Sequence, residues 1–220
     1  MIRVNKDPVS TYTHAAGAAG AIVALVLLVV AAAPSVPKVI SMALFGGTAV
    51  LLFVASSVYH FFDLGERANR WLRRLDHAAI FLFIAGTYIG PLIHTLDGAW
   101  RVTMLSVVGG IAVLGVIFKT LWIGCPRWLS AGLYLAMGWI VVVPGYLVLP
   151  ALSPSSLAWL AAGGLAYTVG AVIYATKRPD PWPDVFGHHE IWHLFVLAGA
   201  GAHAAFMVTL LRHPVPPFGG

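Results

Sequence analysis

The sequence predicts an all-α integral membrane protein: seven helices crossing a bilayer, with the N-terminus in the cytoplasm. Three observations predict it: sparse charge, seven apolar stretches of spanning length, and basic residues gathered in alternate gaps. Of the 220 residues, 60% are hydrophobic and 10% charged, and the mean hydropathy is +0.87. A water-soluble domain of this length needs far more charge to cover its surface. The solvent is therefore lipid.

A spanning helix takes about 20 mostly apolar residues. That ruler gives spans at His14–Ala33, Lys38–Phe62, Asp76–Thr95, Arg101–Trp122, Arg127–Leu149, Ser155–Thr176 and Gly187–Leu211. Pro34 and Pro37, Asp97-Gly98, Pro126, Pro150 and the Pro-Asp-Pro-Trp-Pro run at 179–183 punctuate the gaps. Tyr12, Trp71, Trp100, Trp122, Trp128 and Trp182 fall at or beside the ends, as an interfacial aromatic belt would. Pro144 interrupts the fifth span, which a buried membrane helix tolerates with a kink. Arg3 and Lys6 before an apolar run ending in three alanines also resemble a signal peptide. The run exceeds the usual signal length and further spans follow it, so a retained first helix is expected. With no second domain, long linker or internal repeat, residues 1–220 are read as one unit.

Basic residues set the orientation. Arg3, Lys6, Arg67, Arg70, Arg73, Arg74, Lys119, Arg127, Lys177 and Arg178 share the N-terminal side, while Lys38, Arg101 and Arg212 take the other. This asymmetry puts the N-terminus in the cytoplasm and, for an odd number of spans, the C-terminus outside. The net charge of +5 is thereby assigned to topology and anionic headgroups. Nucleic acid is excluded as a partner; membrane lipids are expected instead. The single Cys125 rules out an internal disulfide and a cysteine-based zinc site.

In so apolar a chain, ionisable groups within spans are costly and mark function. Ser56 and His60 lie four apart near the inner end of span two, Asp76 opens span three, and His189 and His193 lie four apart at the start of span seven. Each i, i+4 pair shares a helix face. The topology brings all three places to one cytoplasmic depth. Three neutral imidazoles with an open fourth position describe a catalytic zinc site. A nearby carboxylate can bind the metal, orient a histidine or hold a water. Each histidine read alone is better taken as a buried, hydrogen-bonded helix residue; the set at one level points to metal. Imidazoles also suit copper, iron and nickel. His77 and His188 point about 100° away from their candidate neighbours. His203 lies about 15 Å along the axis from His193, too far to share its metal, and is expected to line a cavity or bond another helix. His94 belongs near the outer face and His213 to the tail.

Residues 189–193 read His-Glu-Ile-Trp-His, the spacing that gives metalloproteases two zinc ligands and a glutamate base. Intramembrane zinc proteases add a later Leu-Asp-Gly. Here Leu96-Asp97-Gly98 precedes the histidines and falls on the opposite side of the membrane, so the protease reading fails. Glu190 is left as a possible base or as an interfacial carboxylate favoured by the helix N-terminus.

Taken together, these residues resemble the bacterial hemolysin III family within the progestin and adipoQ receptor (PAQR) superfamily, over nearly the whole chain. The resemblance rests on Ser-Ser-Val-Tyr-His at 56–60, Leu-Asp-His-Ala-Ala-Ile at 75–80, Ala-Gly-Thr-Tyr at 85–88, and His-Glu-Ile-Trp-His-Leu-Phe-Val-Leu at 189–197 followed by His203. A looser first motif carries Asp7 and Ser10 ahead of Thr13-His14, with Ser10 where the family usually has Asn. The resemblance implies a zinc ion near the inner leaflet held by His60, His189 and His193, with Asp76 holding the metal-bound water and Ser56 beside it. It also implies a bacterial inner-membrane location. Eukaryotic relatives are similar to intramembrane ceramidases, and the bacterial branch carries a cytolytic name and a link to lipid homeostasis. The expected function is zinc-dependent hydrolysis of a lipid amide or ester. A receptor, regulator or channel with a structural metal, or a cytolysin, is the alternative.

Overall fold

The computed structural model describes residues 3–183 and 185–212, residue 3 by its backbone alone; His213 lies outside the described residues. The helices are α1 (Pro8–Ala32), α2 (Val36–Phe61), α3 (Glu66–Thr95), α4 (Gly98–Leu121), α5 (Arg127–Gly138), α6 (Gly145–Val148), α7 (Pro154–Thr176) and α8 (His188–Arg212). Six of them are long and apolar enough to cross a membrane; Arg127–Val142 with Gly145–Ala151 makes a seventh if the bent pair is one span. The fold is an all-α membrane bundle. α1 packs on α2, α2 on α3, α3 on α4 and α7 on α8; α8 also closes against α1 and α3, and α5 leans on α7.

Phe45, Phe81, Leu92, Phe206 and Met207 lie in the interior. Val30, Leu114, Leu121, Val142 and Leu165 stand exposed on the outside. This outward apolar surface suits lipid as solvent. All six aromatics expected at the span ends are exposed.

Two helices overrun the spans read from hydropathy. α1 begins at Pro8, six residues before the expected His14, and α3 begins at Glu66, ten before Asp76. Hydropathy marks where lipid begins, whereas backbone hydrogen bonding continues into the polar zone. Asp76 therefore sits inside a continuous helix and not at its start. Lys119, counted above among the headgroup-facing charges, turns inward: it is 1% exposed and donates to Ser130 Oγ at 2.5 Å and to the buried, unpaired Cys125 Sγ at 3.2 Å.

The fifth span is broken more deeply than a proline kink. The chain passes through a 3-10 turn at Trp139–Val142, bends by 48° and resumes at Gly145. Pro144 has no N–H to give and crowds the preceding turn. Tyr88 of α3 replaces what is lost. Its hydroxyl donates to the Met137 carbonyl at 2.9 Å, also contacts the Gly138 carbonyl, and accepts from the Val141 N–H at 3.1 Å. Backbone polar groups freed within a bilayer need such partners.

The chain before α1 doubles back along the end of α2. Strand β1 (Arg3–Val4) pairs antiparallel with β2 (Phe62–Asp63). The Lys6 and Asp7 amides continue the zip, donating to the Phe61 and His60 carbonyls at 3.3 and 3.0 Å.

Candidate metal centre

His60 closes the last turn of α2, and His189 and His193 occupy consecutive turns at the start of α8. The bundle brings them together at the end of the fold where the N-terminal strand lies. Their ring centroids form a near-equilateral triangle with sides of 5.0, 4.9 and 4.6 Å. One nitrogen from each ring falls within 4.8 Å of the others. His60 Nε2 and His189 Nε2 are 3.2 Å apart. Tetrahedral zinc with Zn–N bonds of about 2.0–2.1 Å separates its ligand atoms by about 3.3 Å.

The donor set fits a metal on a further count. His193 is 0% exposed, and neither of its ring nitrogens makes a hydrogen bond among the described residues. Burying such a group without a partner costs roughly 1–3 kcal/mol on mutational scales. A cation at the centre of the triangle would take one nitrogen from each imidazole and remove that cost.

Asp7 supplies the outer contact. His60 Nδ1–H donates to Asp7 Oδ2 at 2.8 Å, which fixes the tautomer and turns the Nε2 lone pair toward the other two rings. The His60 N–H holds the Asp7 carboxyl below its ordinary range. Lys6 anchors the same segment, its ammonium donating to the Tyr59 carbonyl at 2.8 Å and lying 4.0 Å from the Tyr59 ring centre.

Asp76 lies outside the three-histidine group and is 5% exposed. With Ser56 and His14 it lines one end of a largely apolar cavity of about 570 Å³. The cavity walls include Trp139, Val142, Leu149 and Leu165, each also exposed on the outer surface. It therefore opens sideways between the broken fifth span and α7. His14 is 2% exposed and stacks face to face on His193, with centroids 3.8 Å apart and planes 12° apart; neither His14 nitrogen has a hydrogen-bond partner among the described residues.

Glu190 faces elsewhere. Its carboxylate accepts from the Gly187 amide at 2.8 Å, capping its own helix, and from Ser10 Oγ at 3.0 Å. It ties the start of α8 to α1. Asp97 of the Leu-Asp-Gly sequence pairs with Arg101 where α4 begins, between α3 and α4. His77 contacts Tyr134 Oη at 3.3 Å; His188 accepts from Arg127 at 2.9 Å; His94 bonds the Gly90 carbonyl at 2.6 Å. His203 lines the cavity.

Sequence reasoning missed the contact of Asp7 with His60 and the stack of His14 on His193. A signal was present: Ser10, Thr11 and His14 recur at helical spacing along a stripe shared with Ala18 and Ala21, and all five are buried.

Residues 2–204 match the family described as Haemolysin-III related. The chain is 33% identical over 164 residues to the "Hemolysin-3 homolog" of Bacillus subtilis (strain 168), covering 74% of each chain. Against the "Hemolysin-3" of Bacillus cereus it is 33% identical over 164 residues, 74% of this chain and 71% of that one. The "Adiponectin receptor protein" of Drosophila melanogaster is 30% identical over 183 residues, which make up 76% of this chain but 41% of the fly protein.

Proposed function

The chain belongs to the haemolysin-III-related family within the PAQR superfamily, and from that premise we propose that it is a zinc-dependent hydrolase of amide or ester bonds in membrane lipids. One observation carries the reading: a three-imidazole group adjoins an apolar cavity, open to the side, whose end is lined by Ser56, Asp76 and His14. A site built only for structure would be closed by a fourth protein ligand. Asp76 is not among the grouped ligands, which leaves room for an open position.

His60, His189 and His193 would hold zinc, which when bound would supply Lewis acidity toward a carbonyl and a water. Asp76 accepts the proton of the attacking water and returns it to the leaving nitrogen or oxygen as the C–N or C–O bond breaks. Ser56 donates a hydrogen bond to that water or to the carbonyl oxygen as charge gathers there. Asp7 keeps His60 in the tautomer that binds. The cavity takes the acyl chain and keeps bulk water out, and its volume is that of a small-ligand pocket. With the end that gathers the basic residues taken as cytoplasmic, the substrate comes from the inner leaflet of a bacterial cell membrane.

Release of free fatty acid from N-acyl and ester lipids by the purified protein tests the reading. Activity should vanish on chelation, return with zinc and be lost in His193→Ala. Activity that survives both chelation and His193→Ala overturns it. Zinc-dependent stability with no turnover on any lipid would favour a receptor or channel with a structural metal.

A further inference from the structure

The cavity runs well beyond the metal end. Along α8, His203 lies ten residues past His193, about 15 Å deeper, and both His203 and Tyr167 of α7 line the wall. In a hydrocarbon layer about 30 Å thick this is close to mid-membrane.

The other side-chain polar groups lining that deeper wall are engaged within the protein. Thr87 Oγ1 donates to the Ile84 carbonyl at 2.6 Å. Thr168 Oγ1 donates to the Gly164 carbonyl at 2.7 Å and accepts from Trp139 Nε1 at 3.2 Å. Tyr134 Oη donates to the His77 carbonyl at 3.2 Å, and Tyr88 Oη is committed to the break in the fifth span. Two groups are left over. Tyr167 Oη is buried with no partner among the described residues. His203 gives its Nδ1 proton to the Gly199 carbonyl at 3.0 Å, so a neutral ring presents Nε2 as an acceptor, with no protein hydrogen bond to it among the described residues.

The two rings, with centroids 5.3 Å apart, are seated reciprocally. A Cβ on Gly163 of α7 would fall 2.3 Å from His203 Nδ1, and a Cβ on Gly199 of α8 would fall 2.4 Å from Tyr167 Cε1. Each helix gives up a side chain where the other helix places its polar ring.

The geometry points to a second polar station in the cavity, at His203 and Tyr167, that binds a hydroxyl group carried partway along a lipid chain. A hydroxyl can donate to His203 Nε2 and accept from Tyr167 Oη at once; a ketone can only accept, and a methylene does neither. This rests on the reading of the cavity as a lipid-chain site and adds a selection rule to it.

The test measures binding, not turnover. Octadecanoic acid is compared with its hydroxy and keto derivatives, the oxygen stepped along the chain, on the purified full-length protein. At one position the alcohol should bind about tenfold tighter than both the parent acid and the ketone at the same carbon, the size of one net hydrogen bond. His203→Phe should erase the preference for the alcohol over the ketone, and Tyr167→Phe should weaken both oxygenated chains relative to the parent acid, each leaving the parent acid's affinity in place. Equal affinity for alcohol and ketone in the unaltered protein overturns the station even if the variants fold poorly, as does a preference that persists in both variants. Acids that bind without positional preference leave the chain-site reading standing; acids that do not bind at all remove both.

Discussion

Asp7 Oδ2 lies 2.8 Å from His60 Nδ1, joining the residue just before the first helix to a metal-ligand candidate at the end of the second. The contact is set by backbone: the β1–β2 pairing and the Lys6 and Asp7 amides zip the N-terminal segment onto the chain around His60. Asp7→Asn keeps the shape but removes the charge that favours the required tautomer. Carboxylates placed this way change metal affinity by about 10–100-fold. Competition against a chromogenic chelator should show zinc affinity falling by that order; an unchanged affinity would make the contact merely structural.

His193 offers a second prediction, because neither of its nitrogens has a hydrogen-bond partner among the described residues. Chelation should lower the unfolding temperature of the unaltered protein. In His193→Ala, unfolding should no longer respond to chelator or added zinc, and bound zinc per chain should fall below one.

Asp76 and the metal should separate cleanly. Asp76→Asn leaves the three imidazoles in place, so zinc content should hold. Hydrolysis should drop by about 10²–10⁴-fold, the usual size of a general acid–base contribution. Loss of zinc along with activity would instead make Asp76 a ligand.

Glu190 distinguishes this site from a metalloprotease. Its carboxylate caps α8 and receives Ser10. Glu190→Gln should therefore retain most turnover and zinc while unfolding somewhat more easily. A collapse in turnover with normal stability would restore the glutamate as a base.

Tyr88 carries a prediction about the fold alone. Tyr88→Phe leaves the carbonyls and the Val141 amide at the broken span without their partner. A cost of about 1–3 kcal/mol is expected, read as earlier unfolding in detergent.

The spans were legible because lipid demands long apolar runs, and the histidines and Asp76 stood out because so few ionisable groups share those runs. Helix ends were less legible. Glu66 to Arg74 is polar, yet it continues α3 because helical hydrogen bonds do not stop at the lipid boundary. Lys119 reads as a headgroup-facing charge, but Ser130 and Cys125 are interior partners that a charge count does not see. Asp7 escaped because a two-residue strand pairing leaves no periodic signal in the sequence. Pro144 announces a kink in the fifth span, but the depth of the break and the tyrosine on another helix that repairs it emerge only from packing.

Anomalous diffraction at the zinc edge, on crystals of protein purified with zinc, tests the central claim most directly. One peak per chain is predicted, about 2.0–2.1 Å from one nitrogen each of His60, His189 and His193, with a non-protein oxygen in the fourth position. A zinc-supplied crystal with no peak inside that triangle, or with Asp76 as the fourth ligand closing the site, would contradict the account.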